Sequence, residues 1–257
     1  MNSVEHLLEV KRSTIKIMKI RGYDITDEDL GFLETDYTDE YKQELIEYFI
    51  ESSETNELRE YLLEKNLTDL RSLMSNIYVR DKDRCLVFFT EHKGTKNFLT
   101  EDANFLRDIL VFTGVELCMI ISYNPNGCIK RLNEIELKTK EIIMYNEDKG
   151  KNIKLKRFIE TPIHIQFFQD IDLLYDPLDH LYSPLSITKL SSAKIKKTGL
   201  ILEELPHISE NDPIIQRLGF FHGDIVLMEI PSLIRGSLLD SELVYKLVKK
   251  DKEKKKK

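Results

Sequence analysis

Two apolar runs separated by one amphipathic segment constrain this chain more than any other feature. Residues 85–89 and 115–123 are rich in Leu, Val, Ile, Phe, Cys and Met, as strands covered on both faces must be. Between them Phe105, Leu106, Ile109, Leu110 and Phe112 recur at helical spacing behind a Thr100 cap. Strand, helix, strand in that order requires a crossover between parallel strands, so an α/β layer is expected. The turn Asn124-Pro125-Asn126-Gly127 closes the second strand, and residues 163–168 alternate enough for another. Residues 142–145 and 153–158 flank the polar tip 146–150 and read as a hairpin or a lysine-rich excursion from the sheet.

The chain ahead of this layer is patterned for helices. Val4, Leu7, Leu8, Ile15 and Met18 share a face over about residues 3–21, Asn2 and Glu5 can form a capping box, and Gly22 supplies a left-handed stop. Thr26 before Asp27, Glu28 and Asp29 marks a second helix start. From 34 to 73 twelve acidic residues stand against Lys42, Arg59, Lys65 and Arg71, while Leu45, Tyr48, Phe49, Leu58, Tyr61, Leu62, Leu70 and Met74 recur at three and four. That pattern predicts two helices with an acidic outer face, jointed at 52–56.

Asp176-Pro177 and Ser183-Pro184 break the chain, which sets the expected domain boundary: 1–176, then 177–248, then a tail at 249–257. The second piece has a helix start near Ser191 and strands at 225–230 and 243–248. A small α+β unit of about 70 residues folds only marginally alone, so it is expected to be stabilised by docking onto something.

Charge narrows the function. The formal net charge is −7, but the last nine residues hold seven lysines against Asp251 and Glu253, so residues 1–248 carry −12. A body that acidic repels phosphate, which argues against a free-standing nucleic-acid binder. The lysine run is read as a solvated, disordered end. No apolar run approaches the roughly 20 residues that span a bilayer, and residues 1–9 lack the continuous apolar stretch of a signal peptide, so neither membrane nor export is expected. Cys85, Cys118 and Cys128 form no Cys-x-x-Cys pair, and a reducing compartment follows.

The chemistry-bearing patterns are sparse. Six scattered histidines show no metal-ligand spacing, so no metal and no cofactor are assigned. Gly94-Thr95-Lys96 lacks the spacing of a phosphate loop. Glu91-His92-Lys93 follows the 85–89 strand, and with Asp81 or Asp83 as second carboxylate it could be a metal-dependent nuclease motif using Glu91 and Lys93; the competing reading is a solvated strand end. An adaptor with an acidic helical surface is a third possibility.

The richest stretch is Leu205-Pro206-His207-Ile208, Asp212-Pro213, then Leu218-Gly219-Phe220-Phe221-His222-Gly223-Asp224-Ile225-Val226. Asp212 as N-cap and Pro213 at the first helical position predict a one- to two-turn helix that Gly219 stops, and Gly223-Asp224 predicts a tight turn feeding a strand. This order, with Pro231-Ser232, Gly236 and Tyr245-Lys246-Leu247-Val248 further on, resembles the assembly domain of the fifth subunit of nuclear RNA polymerases and of its archaeal counterpart. His180-x-Tyr182-Ser183-Pro184 is similar to that family's entry into the domain, and Leu190-Ser191 to its helix start. Arg12-Ser13, Met18, Arg21-Gly22-Tyr23 and Asp29-Leu30 resemble the family's opening independently. Ile230 stands where the family has arginine, the 237–242 tract is long, the 191–202 helix is short, and the 34–73 and 146–157 regions are expanded.

The resemblance implies an α/β N-terminal jaw domain, a mixed sheet with flanking helices, near downstream DNA, and a small α+β C-terminal assembly domain docked on the largest polymerase subunit. It implies a non-catalytic subunit of a DNA-directed RNA polymerase, with no homo-oligomer. His180, Pro206, Asp212, Pro213, Gly219 and Gly223 would shape the docking surface. Lys93, Lys96, Lys130 and Arg131, in loops after strands, are the candidates for touching DNA phosphates. High Lys, Ile and Asn usage and the departures suit a large cytoplasmic DNA virus; the protein would be nuclear if cellular, and in host cytoplasm or virion if viral.

Overall fold

Residues 4–35, 38–90, 105–106, 108–110, 113–115, 117–123, 164–177, 184–231 and 241–250 are described in the structure, a computed structural model. The chain divides into two units, Met1–Leu174 and Tyr175–Lys257, and each is a mixed four-stranded sheet with flanking helices.

In the first unit β1 (Asn76–Arg80) pairs antiparallel with β2 (Asp83–Phe89), which pairs parallel with β3 (Leu117–Ser122), itself parallel to β4 (His164–Gln169). Cys85 stands opposite Leu117 and Leu117 opposite His164, so alternate positions along each strand sort onto two faces that run across the sheet. One face presents Leu86, Phe88, Cys118 and Ile120 to Leu58, Leu62, Leu106, Ile109 and Leu110. The other carries Tyr78, Met119 and Gln166, which meet Lys11 of α1 (Val4–Ile20) and Arg21 just beyond it. Helices on both faces explain why β2 and β3 are continuously apolar rather than alternating.

The 34–73 stretch folds into three helices where the sequence pattern predicts two. After α2 (Asp27–Glu34) come α3 (Lys42–Glu51), a 3₁₀ turn Ser52–Thr55 at the expected joint, α4 (Glu57–Glu64) and α5 (Leu70–Leu73). The extra break is local chemistry. Asn66 takes a left-handed φ of 59°, and Leu67 N–H closes back on Leu62 O at 3.0 Å, which is an α-helical C-terminal stop with Asn in the glycine position. Asp69 then caps the next helix by accepting from Ser72 N–H at 3.0 Å. Strand β1, which the sequence pattern leaves unassigned, is joined to β2 by the two-residue turn Asp81-Lys82, with Asp81 at φ 53°.

In the second unit the strand order is β5 (Ser186–Lys189), β7 (Ile225–Pro231), β8 (Ser241–Lys249), β6 (His207–Ser209). All pairs are antiparallel except β6 with β8. The two longest strands are those expected; β5 and β6 are short edges of four and three residues that propensity does not flag. After α6 (Asp170–Leu174), which ends the first unit, the helices here are α7 (Ser192–Thr198), capped by Ser191, and α8 (Pro213–Leu218). Ile215 and Phe220 pack with Val226, Met228 and Val248 on one sheet face; Ile195, Leu200 and Leu205 pack with Ile225, Leu227 and Leu247 on the other. The expected elements at 142–145 and 153–158, the Thr100 and Asn2 caps and the 124–127 turn lie outside the described residues.

Candidate functional site

The second unit is organised by a helix, a stop and a turn. Asp212 is extended, at φ −60° and ψ 130°, and its carboxylate accepts from Ile214 N–H at 3.0 Å and Ile215 N–H at 3.3 Å. Pro213 fills the first helical position, where its missing N–H costs nothing. At the other end Gly219 sits at φ 71°, Gly219 N–H reaches Gln216 O at 3.0 Å and Phe220 N–H reaches Ile215 O at 3.1 Å. That double closure satisfies two end carbonyls and folds Phe220 onto the same cluster as Ile215.

The chain then turns through Gly223, φ 95°, and Asp224. Phe221 N–H donates to the Asp224 carboxylate at 2.9 Å and Asp224 N–H to Phe221 O at 2.9 Å. Three links staple this turn to the sheet: Gly223 N–H to Val248 O at 3.0 Å, Val248 N–H to Asp224 O at 2.9 Å, and the Lys189 ammonium to the Asp224 carboxylate at 2.8 Å. Pro206 precedes edge strand β6, and its carbonyl accepts from Leu247 N–H at 2.9 Å. Asp212, Pro213, Gly219 and Gly223 thus fall on the cap, first position, stop and turn of one sheet-and-helix module and Pro206 at the entry to its edge strand, while His180 lies outside the described residues. Two contributors carry no signal in the sequence pattern: Lys189, and Arg217, which is buried and donates to Tyr175 O.

This module is incompletely covered. Leu190, Leu205, Ile215, Ile225, Val226, Met228 and Val248 are its buried apolar residues among those described. The far halves of β7 and β8 are left half-open, with Leu227, Ile230, Val244 and Tyr245 partly exposed and Leu243 at 64%. Glu229 lies on the same face as Leu243 and accepts from Ser186 Oγ at 3.1 Å and Ser241 Oγ at 2.7 Å.

The first unit places its unexpected chemistry at the carboxyl ends of the parallel strands, where open α/β sheets usually take ligands. Here the position is filled internally. Arg71 donates to Thr90 O at 2.6 Å and Ile121 O at 3.3 Å, and forms a bidentate pair with Asp170 at 2.7 and 2.5 Å; His6 Nε2 approaches the same carboxylate at 3.7 Å. Arg59 is also buried, pairing with Glu28 and donating to Leu73 O at 3.2 Å beneath the Phe49 ring. The sequence pattern gives Arg59 and Arg71 no role beyond offsetting the acidic residues of 34–73; the structure buries both. A third buried pair joins Lys11 to Asp29 at 3.2 Å, with Tyr78 Oη donating to Asp29 at 3.0 Å. Burial pulls the Asp29 carboxyl up, but the Lys11 charge and the Thr26 and Tyr78 hydrogen bonds outweigh it and hold it below its ordinary value. Burial pushes the Tyr78 hydroxyl well up.

Of the nuclease candidates only the two aspartates fall among the described residues. Asp81 lies in the β1–β2 turn, and Asp83 opens β2 and is engaged by Arg80 at 2.9 Å. Glu91, Lys93, Lys96, Lys130 and Arg131 lie outside the described residues. Among the described residues no group of three His, Cys, Asp or Glu is placed to hold a metal ion, and no helix is long and apolar enough to cross a membrane. No family model and no curated protein matches this chain.

Proposed function

We propose that this chain is a non-catalytic subunit of a multisubunit DNA-dependent RNA polymerase, of the kind represented by the fifth subunit of the nuclear enzymes. The second unit is its assembly domain and docks on the largest subunit; the first is a jaw domain near downstream DNA. The observation that carries the reading is the coincidence of sequence order with geometry: Pro206, Asp212-Pro213, Gly219 and Gly223 are the residues that set the edge entry, cap, stop and turn of one module. The half-open β7–β8 face supports it, since a small unit with few buried residues gains by lending apolar surface to a larger neighbour.

In this reading Asp212 and Gly219 act by shape, holding α8 and Phe220 against the sheet. The first unit meets DNA as a positioned surface inside the complex, because its acidic body gives little affinity for phosphate alone. Affinity purification from the native host tests the proposal: a very large polymerase chain should be recovered in stoichiometric amount, and recovery of this chain alone would overturn it. Filter binding should show weak retention of duplex DNA by the isolated chain at about 150 mM salt; tight binding would contradict the dependence on the complex.

A further inference from the structure

Between α2 and α3 runs a groove that shares only Glu28 with the buried ion pairs. Its cavity is about 470 Å³, within the size range of pockets that hold side chains or small ligands. Phe32 and Leu45, both buried, form the floor; Tyr41 and Tyr48, 43% and 47% exposed, form the walls. Asp27, Glu28 and Glu44 rim it, and no lysine or arginine lines it among the described residues. Gly31 adds space, since a Cβ built there would meet nothing within 4 Å. The groove is rigidly backed: Phe32 stacks on Phe49 at 5.7 Å, and Arg59 holds Glu28 from beneath.

The geometry points to this groove as the docking site for a basic segment of a partner protein, one that presents an arginine or lysine beside an aliphatic residue. Charge complementarity chooses the occupant. An acidic segment or a phosphate backbone would meet the Asp27 and Glu44 carboxylates, and a purely apolar one would leave the rim facing it. A long cationic side chain satisfies both features: its stem lies on Phe32 and Leu45, its head between the tyrosine faces and the Asp27 and Glu44 carboxylates. The cavity is larger than one such chain requires, so an aliphatic neighbour of the cation fills the remainder. Glu28, already engaged by Arg59, fixes the groove's shape more than it supplies free charge. The site would serve a polymerase subunit or an adaptor equally, so it does not rest on the preceding proposal.

The test is selection of a displayed random heptapeptide library on the full chain, followed by fluorescence anisotropy of the enriched peptides. Enriched peptides should carry Arg or Lys next to Leu, Ile, Val or Met. Their affinity should fall about ten-fold with Tyr48→Ala and further with Glu44→Lys, and should survive Tyr48→Phe. Tyr48 and Glu44 are exposed, so an unchanged thermal midpoint for each variant separates loss of binding from loss of fold. Absence of enrichment, enrichment of acidic or uncharged peptides, or equal binding to the Tyr48→Ala and Glu44→Lys chains would overturn the inference.

Discussion

Replacing Asp170 with Asn should destabilise the first unit by about 3–5 kcal/mol, because it leaves the buried Arg71 guanidinium without its counter-charge. Arg71 and Asp170 are 4% and 2% exposed, and their two parallel bonds at 2.7 and 2.5 Å are the geometry in which such pairs are strongest. Arg71 also joins Thr90 at the end of β2 to Ile121 near the end of β3, so a misplaced guanidinium loosens two strand ends and the start of α6 together. Domains of this size have roughly 5–15 kcal/mol in total. With a urea dependence of about 2 kcal/mol per molar, the midpoint of the first unit's transition should fall by about 1.5–2.5 M at unchanged slope. Arg71→Met should cost a comparable amount, since it removes the bidentate counter-charge of the buried Asp170 carboxylate and a donor to Thr90 O. The double variant should cost less than the two together, with a coupling of at least about 2 kcal/mol. An Asp170→Asn loss under about 1 kcal/mol, or strict additivity, would show that water reaches the pair and that it does not clamp the strand ends.

Asp29 governs an acid-side effect. Its carboxyl is held below the ordinary value of 3.8, so its contribution is complete above that pH and is lost as pH falls through the lower folded value. Asp29→Asn should therefore flatten the acid limb of the stability curve below about pH 4, as read by urea midpoints at a series of pH values; an unchanged limb would show that Asp29 is not the titrating group. Burial pushes the Cys85 thiol up to about 12 and Cys118 well above its ordinary value, so in a Cys128→Ser chain at about pH 8 thiol labelling should proceed only as fast as the protein opens. A fast phase in native conditions would contradict their burial. Asp212→Ala should lower the second unit's stability by about 1 kcal/mol through loss of the cap and reduce recovery of the polymerase partner in the same pull-down.

How much of the fold is legible in the sequence follows from the range of the interactions. The β2–helix–β3 order can be read because buried parallel strands must be apolar throughout, and the α8 cap, stop and turn can be read because Asp212, Pro213, Gly219 and Gly223 act within a few residues of themselves. Strands β1, β5 and β6 escape such a reading because a short edge strand draws its identity from its partner: Ser186–Lys189 has one residue, Ile187, packed on a core. The burial of Arg59 and Arg71 is illegible for the same reason. Their neighbours in sequence are acidic or helical, whereas their partners lie 31 and 99 residues away, at Glu28 and Asp170. The α2–α3 groove is half visible: Tyr48 and Leu45 stand out as an apolar stripe, but the exposure of Tyr41 and Tyr48 beside buried Phe32 and Leu45 follows only from how the two helices lie.

The two units solve stability differently, and the difference bears on assembly. In the first, Lys11, Arg59 and Arg71 are each desolvated against a carboxylate from another segment, an arrangement that is tolerable only if the partners are held in place before any outside molecule arrives. Its shape is therefore a property of the unit itself. The second has no comparable ion pair among its described residues and leaves the far half of β7–β8 partly wet. Covering Leu243 alone would contribute about 1–2 kcal/mol, a large increment for a unit this small, and Leu227 and Tyr245, on the same face, would add to it. A partner that completes this face thus stabilises the module as it binds, so occupancy and folding of the second unit should rise together, while the first unit is already formed and free to present its own surfaces.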